Sequence, residues 1–339
     1  TDVDTLEATN SVFGGIYVDE VDGLVVGENG IANAAPNGAI DIYVIAGALT
    51  VPAGAVVSAL GPVDLDAVTG SISLYGTVVG TDVTLTAGDS LTIADTITAS
   101  RAVNTDSGGE TTVTPDGTIT AGGAVTFGAA KSGALTIAGD ITTSGDSVTF
   151  TNAVTLAGDV ALDTGGMIAG DILFGSTVDL AGYDLTLDAG VAGDVTLAGA
   201  LSNGGVLTVV AGAVQSYAAL TLAALEIQDA TTSVTFNGDV AATGTVSVNS
   251  SGTIVQTGAV VSVTDLNYGA SGAITLNGLV AASGSIAVAG GSVAQHVDLV
   301  VTGAESLALT ATAGAVTMAD GSTTQTTTGA ITISATGNV

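Results

Sequence analysis

Four acidic residues near the amino end are the group in this sequence whose types and spacing best suit a metal ion. Asp19, Glu20, Asp22 and Glu28 fall within the segment VDEVDGLVVGEN, residues 18–29. Carboxylates, backbone carbonyls and water are the ligands that Ca²⁺ takes in proteins. The spacing fits no EF-hand loop, and the glycine-rich calcium nonapeptide is absent. The segment therefore predicts a calcium site, with a solvated acidic surface as the alternative.

Groups suited to acid–base or nucleophilic catalysis are few. The sequence has no cysteine, a single histidine, His296, and two basic residues, Arg101 and Lys131, far apart along the chain. Enzymes on β-helical folds need clustered carboxylates or a basic group in a groove, and Ser–His chemistry would depend on His296 alone. We expect His296 to be incidental and the protein not to be an enzyme. A polysaccharide-active β-helix is the alternative.

Aspartates that follow a glycine recur along the chain, at Asp140, Asp159, Asp171, Asp194 and Asp239. Asp side chains bond to their own backbone in turns, so we expect these to be turn residues. Carboxylates stacked at the spacing of a repeat would also repel one another and attract cations. The pattern therefore predicts that divalent cations stabilise the fold.

The elements that must position these residues follow a repeat. A six-residue motif, typified by AVTLAG and SVTFNG, begins at Ser71, Ala134, Ala153, Asp194, Ser233, Ala273 and Ala315. The starts are separated by nearly whole multiples of about twenty residues. Apolar residues flank a Ser or Thr in every copy, which is the alternation of a strand with one buried face. The sixth position is Gly in six of seven copies, which predicts either a turn with unusual backbone angles or close approach between layers.

One such unit is too short to bury its apolar face, whereas stacked units can. The repeat therefore predicts an all-β parallel β-solenoid (β-helix) with coils of about 20 residues, in preference to repeated β-sandwiches. We assign residues 61–339 to the β-solenoid repeat domain. Residues 1–60 fit the repeat poorly, and we expect an atypical acidic N-terminal cap or assembly segment, because solenoid ends expose strand edges.

A hydroxyl column runs through the repeat, and flat Thr arrays on solenoids can organise water and bind ice. Pairs of the form T-x-T are sporadic, at residues 84–86 and 96–98. We therefore expect the column to reflect β-propensity, with an ice-binding solenoid as the alternative. The column consists of Ser73, Thr136, Thr155, Thr196, Thr235, Thr275 and Thr317.

Composition limits the partners. The 47% apolar content predicts a folded chain. The chain has 32 acidic and two basic residues, which gives a formal net charge of −30. We therefore expect it neither to bind nucleic acid nor to insert directly into a membrane. No run of strongly apolar residues is long enough for a spanning helix. The sequence starts at Thr1 without a signal-peptide pattern, so we expect a mature form or part of a longer protein.

The repeat, written as G-x-[VI]-T-[LF]-x-G from Ser71 to Val339, resembles the β-helical shaft of filamentous-haemagglutinin-like adhesins and related autotransported bacterial surface proteins. The resemblance implies a right-handed parallel helix, secretion to the cell surface, and a role in attachment or biofilm. It implies no catalytic residues. The chain departs from the family in its one-sided charge and at residues 34–40, AAPNGAI, a faint match to the asparagine–proline motif of the secretion domain.

The expected function is thus that of a non-enzymatic structural protein of the bacterial cell surface, an adhesin-like rod. The alternative is a subunit of a self-assembling extracellular filament or surface layer, bridged by calcium. Expected partners are further copies of the chain, end to end or side by side, and other cell-surface components.

Overall fold

The structure is a computed structural model that describes residues 3–128, 130–131, 133–165 and 170–339. Every regular element in these ranges is a β-strand, and none is a helix. The chain divides into two compact units, Thr1–Gly165 and Gly166–Val339.

The described residues of the first unit form 21 strands, most of them short. They are β1 Thr5–Asn10, β2 Ile16–Glu20, β3 Leu24–Asn33, β4 Ile40–Val44, β5 Leu49–Val51, β6 Val56–Ala59, β7 Val63–Ala67, β8 Ile72–Leu74, β9 Thr77–Gly80, β10 Val83–Ala87, β11 Leu91–Ile93, β12 Ile97–Ala99, β13 Val103–Ser107, β14 Thr111–Val113, β15 Ile119–Ala121, β16 Val125–Phe127, β17 Leu135–Ile137, β18 Ile141–Thr143, β19 Val148–Phe150, β20 Val154–Leu156 and β21 Val160–Asp163.

In the second unit, residues 170–339 form 22 strands. They are β22 Ile172–Phe174, β23 Val178–Asp179, β24 Leu185–Asp188, β25 Val195–Leu197, β26 Leu201–Ser202, β27 Val206–Tyr217, β28 Leu220–Leu222, β29 Ala224–Phe236, β30 Val240–Ala242, β31 Val246–Ser250, β32 Thr253–Gln256, β33 Val260–Val263, β34 Leu266–Ala270, β35 Ala273–Leu276, β36 Val280–Ala282, β37 Ile286–Gly290, β38 Ser292–Gln295, β39 Leu299–Val301, β40 Leu307–Ala311, β41 Val316–Met318, β42 Thr324–Thr326 and β43 Ile331–Ala335.

Strands of the first unit pair in parallel with strands one coil away, and a coil contributes three strands. Val63 of β7 pairs with Val83 of β10, and Val83 pairs with Val103 of β13, which gives a step of 20 residues. The predicted parallel β-solenoid is therefore confirmed. One apolar column follows the pairings Ile16, Ile40, Val63, Val83, Val103, Val125 and Val148.

The second unit repeats this arrangement. Its strands β27 and β29 are long, and each pairs along two sides of the neighbouring coil. The corresponding column follows the pairings Leu185, Leu207, Leu225, Val246, Leu266, Ile286, Leu307 and Ile331.

The interior of each unit is filled by every second residue of the strands. In β10, Val83, Leu85 and Ala87 are buried, whereas Thr84 and Thr86 between them are partly exposed. Aromatic rings stack from coil to coil, with ring centroids 5.2 Å apart for Phe127 and Phe150, and 5.6 Å apart for Tyr217 and Phe236. These contacts add to apolar burial along the stack.

Close approach between coils requires glycine at five of the six motif glycines; at Gly158 the nearest atom to an added Cβ would be 3.1 Å away. A Cβ on Gly76, Gly139, Gly199, Gly238 or Gly278 would meet backbone atoms of the preceding coil at distances that real Cβ atoms do not adopt. None of the five has a positive φ. Of the two roles predicted for this glycine, close approach is the one that the structure shows.

The amino-terminal segment 1–60, for which the sequence predicts a cap, continues the same pairing. β2 pairs with β4, and β4 pairs with β7 in parallel across residue 60. The described part of this segment therefore has the same coil structure as the residues that follow. Its role as an assembly contact stays a prediction.

Candidate functional site

The four predicted calcium ligands point in different directions because strand geometry separates neighbours. Asp19 is exposed on the outward face of β2, whereas Glu20, the next residue, is buried. Asp22 is exposed in the turn after β2, and Glu28 is exposed on β3. Since successive strand residues face opposite sides, Asp19 and Glu20 cannot both point to the same side of β2.

Glu20 has a structural role. Its Oε1 accepts a hydrogen bond from the backbone N–H of Val21 at 2.9 Å, and its Oε2 accepts one from Val3 at 3.1 Å. The bond from Val21 is the main cause that holds the pKa of Glu20 below its ordinary value. The carboxylate therefore already satisfies two backbone donors.

Within the described ranges, no three His, Cys, Asp or Glu side chains lie close enough together to hold a metal ion. The calcium site at Asp19, Glu20, Asp22 and Glu28 stays a prediction. Of these residues, Asp19, Asp22 and Glu28 are exposed, and Asp22 also hydrogen-bonds to Glu20.

His296 lies in a surface cleft of the second unit. The cleft has a volume of about 500 Å³ and is also lined by Asp298, Asp320 and Ser322. The His296 Nδ1 is 2.8 Å from Asn277 Oδ1. The sequence analysis did not place Asp298 and Asp320 beside His296. The spacing of about one coil between His296 and Asp320 could have indicated that these two residues lie close together.

The carboxylate of Asp298 is held in place. Its Oδ1 accepts hydrogen bonds from the Thr323 hydroxyl at 2.7 Å and the Thr323 backbone N–H at 2.8 Å. These bonds lower the pKa of Asp298, and the hydroxyl contributes most. The side chain is thus positioned by the next coil.

The two basic residues lie in the first unit and have partners there. The guanidinium of exposed Arg101 is 3.4 Å from the carboxylate of Asp82, which is partly exposed. The Nζ of Lys131 donates to the backbone carbonyl of Ala87 at 2.7 Å, and its backbone N–H donates to Asp106 Oδ1 at 2.8 Å. The structure thus gives Arg101 and Lys131 roles in local contacts.

Aspartates beside glycine join successive coils. Asp140 Oδ1 accepts from the backbone N–H of Ala161 at 2.9 Å, and Asp239 Oδ1 accepts from that of Ala259 at 2.7 Å. Asp194 bonds in the same way to Val214 at 2.9 Å. The prediction that these three aspartates bond within their own turns is wrong, because the turn places each carboxylate against the next coil. Asp171 also reaches the next coil, where it accepts from the backbone of Asp194.

The hydroxyl column forms a continuous row only in the first unit. Register places Ser73, Thr136 and Thr155 in one row, with a hydroxyl at every intervening coil from Thr50 onward. In the second unit the corresponding row is interrupted by Val255 and Ala294. The row has one hydroxyl per coil, flanked by buried residues.

The parallel pairing of successive coils defines the chain as a parallel β-solenoid repeat protein. Comparison with protein-family models, curated proteins and solved structures gives no match to this chain. In the part of the chain that the structure describes, no helix has the length and apolar character needed to cross a membrane.

Proposed function

We propose that the chain is a non-enzymatic structural protein of a bacterial cell surface, an adhesin-like β-helical rod that serves attachment or biofilm formation. The supporting observation is the continuous coil-to-coil pairing, from Ile16 to Val148 in the first unit and from Leu185 to Ile331 in the second. Each coil pairs with its neighbours, and such stacks gain stability from every interface. Location outside the cell is supported by the resemblance of the repeat to adhesin shafts.

The alternative proposal is a subunit of a self-assembling extracellular filament or surface layer. The formal net charge of −30 favours it, since an acidic chain needs cations before copies can approach one another. Calcium bridging Asp19, Asp22 and Glu28 to a second copy would supply them. Identical subunits joined head to tail propagate unless the geometry closes.

Electron microscopy of the purified chain with a calcium chelator and with millimolar calcium separates the two proposals. Filaments or sheets only with calcium support the subunit, and dispersed particles in both conditions support the adhesin-like rod. The triple variant D19N/D22N/E28Q should abolish any calcium-dependent assembly. Its matched control, E226Q/E305Q/D320N in the second unit, should assemble as the natural chain does.

The non-enzymatic part of the proposal is tested at the His296 cleft. We expect no turnover when the chain is incubated with acidic and neutral polysaccharides. Chain cleavage that is lost in both H296A and D298N would overturn this expectation.

Thermal hysteresis of the natural chain that is lost when Thr92 and Thr112 are replaced by Val would instead support the ice-binding alternative.

A further inference from the structure

The outward face of β2, β4 and β7 differs from the rest of the first unit. Register aligns Tyr17 with Asp41 and Asp41 with Asp64, and a second row aligns Asp19 with Tyr43 and Tyr43 with Asp66. Neighbouring strands lie about 4.8 Å apart. These three strands therefore present two adjacent rows in which Tyr and Asp side chains are mixed.

A third row at the ends of the same strands is aliphatic. Val21, Ile45 and Val68 are 61%, 44% and 38% exposed. The backbone N–H of Ala46 bonds to Val21 O at 3.0 Å, and that of Val68 bonds to Val44 O at 2.9 Å, so the coil-to-coil pairing extends to this row. We call the combined surface the Tyr–Asp face; it comprises Tyr17, Asp19, Val21, Asp41, Tyr43, Ile45, Asp64, Asp66 and Val68.

The aromatic rings of this face are accessible. Tyr17 is 71% exposed and Tyr43 is 37% exposed. The Tyr17 ring lies along the backbone at Gly15, where a Cβ would come within 2.5 Å of it. Large exposed apolar groups beside charges mark interaction surfaces more often than isolated ones do.

The carboxylates of the face crowd one another. Asp41 and Asp64 are directly opposite on neighbouring strands, an arrangement that is unfavourable for like charges. Partial burial, followed by the charges of Asp41 and Asp66, raises the pKa of Asp64. Burial also raises the pKa of Asp66, against the opposing effect of Lys131. A cation placed over these groups would relieve the repulsion.

The patch ends after its third coil. On the next two strands the outward residues are Thr84 and Thr86 of β10, followed by Asn104 and Asp106 of β13. Gly88 and Gly108 follow these strands where Val68 follows β7. The Tyr–Asp face is therefore a local feature of these three strands, and β-propensity, which disfavours Asp in strands, does not account for its carboxylates.

We infer that the Tyr–Asp face docks a cationic segment of another protein that carries an apolar stripe. Its Lys or Arg side chains lie over the Asp carboxylates and Tyr rings, and its apolar side chains cover Val21, Ile45 and Val68. This inference goes beyond the proposed structural function and does not depend on it.

A second copy of the chain does not fit this face by direct contact. The chain contains only two basic residues, Arg101 and Lys131, and both are engaged in their own unit. Two Tyr–Asp faces brought together would oppose carboxylate to carboxylate, which is repulsive. The charge of the face therefore selects a partner with cations of its own.

The test is titration of the full chain with a short alternating Lys–Val peptide at near-physiological salt. Matched probes are a Lys–Ser peptide, which keeps the charge, and a Glu–Val peptide, which keeps the apolar stripe. We expect Lys–Val to bind, Lys–Ser to bind about tenfold more weakly, and Glu–Val not to bind.

Variants locate the binding. D41N/D64N and Y17S/Y43S should each weaken Lys–Val binding by about tenfold, a loss of about 1.4 kcal/mol. The control E226Q/E305Q, which removes two exposed acids of the second unit, should bind within about twofold of the natural chain. Thermal melting of each variant confirms that it is folded.

Three results would overturn the inference. They are the absence of Lys–Val binding, equal binding of Lys–Val and Lys–Ser, and a loss in E226Q/E305Q as large as that in D41N/D64N. The last two would show diffuse attraction to an acidic chain. If D41N/D64N does not fold, Y17S/Y43S decides the question because its substituted rings are exposed.

Discussion

The Tyr–Asp face of the first unit and the corresponding outward rows of the second unit differ sharply, although the strands below them are alike. β31, β34 and β37 bury Val246, Leu266 and Ile286 just as β4 and β7 bury their inward apolar residues, and the inward Ile16 and Val18 of β2 are half-buried. Their outward rows, however, are small and uncharged, and consist of Ser247, Asn249, Asn267, Gly269, Ala287 and Ala289. The buried, inward-facing residues maintain the coil structure, whereas the outward-facing residues can differ without changing it. We therefore expect specific binding to depend on the outward-facing residues.

The largest expected effect tests whether the two interiors are equivalent. Leu65 and Leu187 are each fully buried in the middle of a strand. L65A and L187A should each lower the free energy of unfolding by about 2–5 kcal/mol, because both leave a cavity in close-packed surroundings. Urea unfolding followed by circular dichroism measures this. A loss in only one of the two variants would contradict the idea of a common interior.

Acid should destabilise both units through carboxylates that accept backbone hydrogen bonds. The backbone bond from Val21 lowers the pKa of Glu20 in the first unit, and the hydroxyl bond followed by the backbone bond from Thr323 lowers the pKa of Asp298 in the second. Their contribution is complete above the ordinary carboxyl pKa of about 4 and is lost as the pH falls through the lower, folded-state pKa.

The urea midpoint should therefore fall below about pH 4. E20Q should reduce the pH dependence in the first unit, and D298N should do so in the second, as followed by hydrogen exchange. A midpoint that is constant down to about pH 3 would show that these carboxylates contribute little to stability.

Removing a single carboxylate that hydrogen-bonds to the next coil should lower the free energy of unfolding by a smaller amount, and by the same amount in the two units. D140A and D239A each remove the acceptor for one backbone N–H of the next coil, and each should cost about 1 kcal/mol. The control D163A removes a bond within one turn, from Gly165 to Asp163 at 2.8 Å, and should cost less. An equal loss in all three variants would mean that joining coils adds nothing beyond a turn bond.

The smallest expected effect concerns the charge of the Tyr–Asp face. Because the folded-state pKa of Asp64 is raised, its ionised form disfavours folding, and this penalty disappears as the pH falls below the pKa. D64N should therefore stabilise the first unit at pH 7 by a few tenths of a kcal/mol, with no gain near pH 3. A decrease in melting temperature at pH 7 would contradict the repulsion inferred for this face.

Much of the fold can be predicted from the sequence because the alternation of apolar and hydroxyl residues in the motif indicates which residues are buried. Ile72 and Leu74 alternate with Ser73, and the structure buries the first two and leaves the third partly exposed. The first coils escape this reasoning because residues 1–60 hold no complete copy of the motif; the nearest match, ALTVPA at residues 48–53, lacks its glycine.

Features that depend on register could not be predicted. The bond from Ala161 to Asp140 joins residues one coil apart, whereas turn rules consider only neighbours in sequence. The Tyr–Asp face is likewise assembled from segments spread over residues 17–68. Its signal is present in IYVDE, IDIYV and VDLDA, but only the pairing shows that the three segments are adjacent.

Hydrogen exchange of the full chain with and without the Lys–Val peptide tests most directly whether binding is encoded on the outward face of the first unit. We expect the peptide to slow exchange at β2, β4 and β7 and their connecting turns, and to leave β31, β34 and β37 unchanged. Protection spread evenly over both units, or present at β31, β34 and β37, would contradict the account.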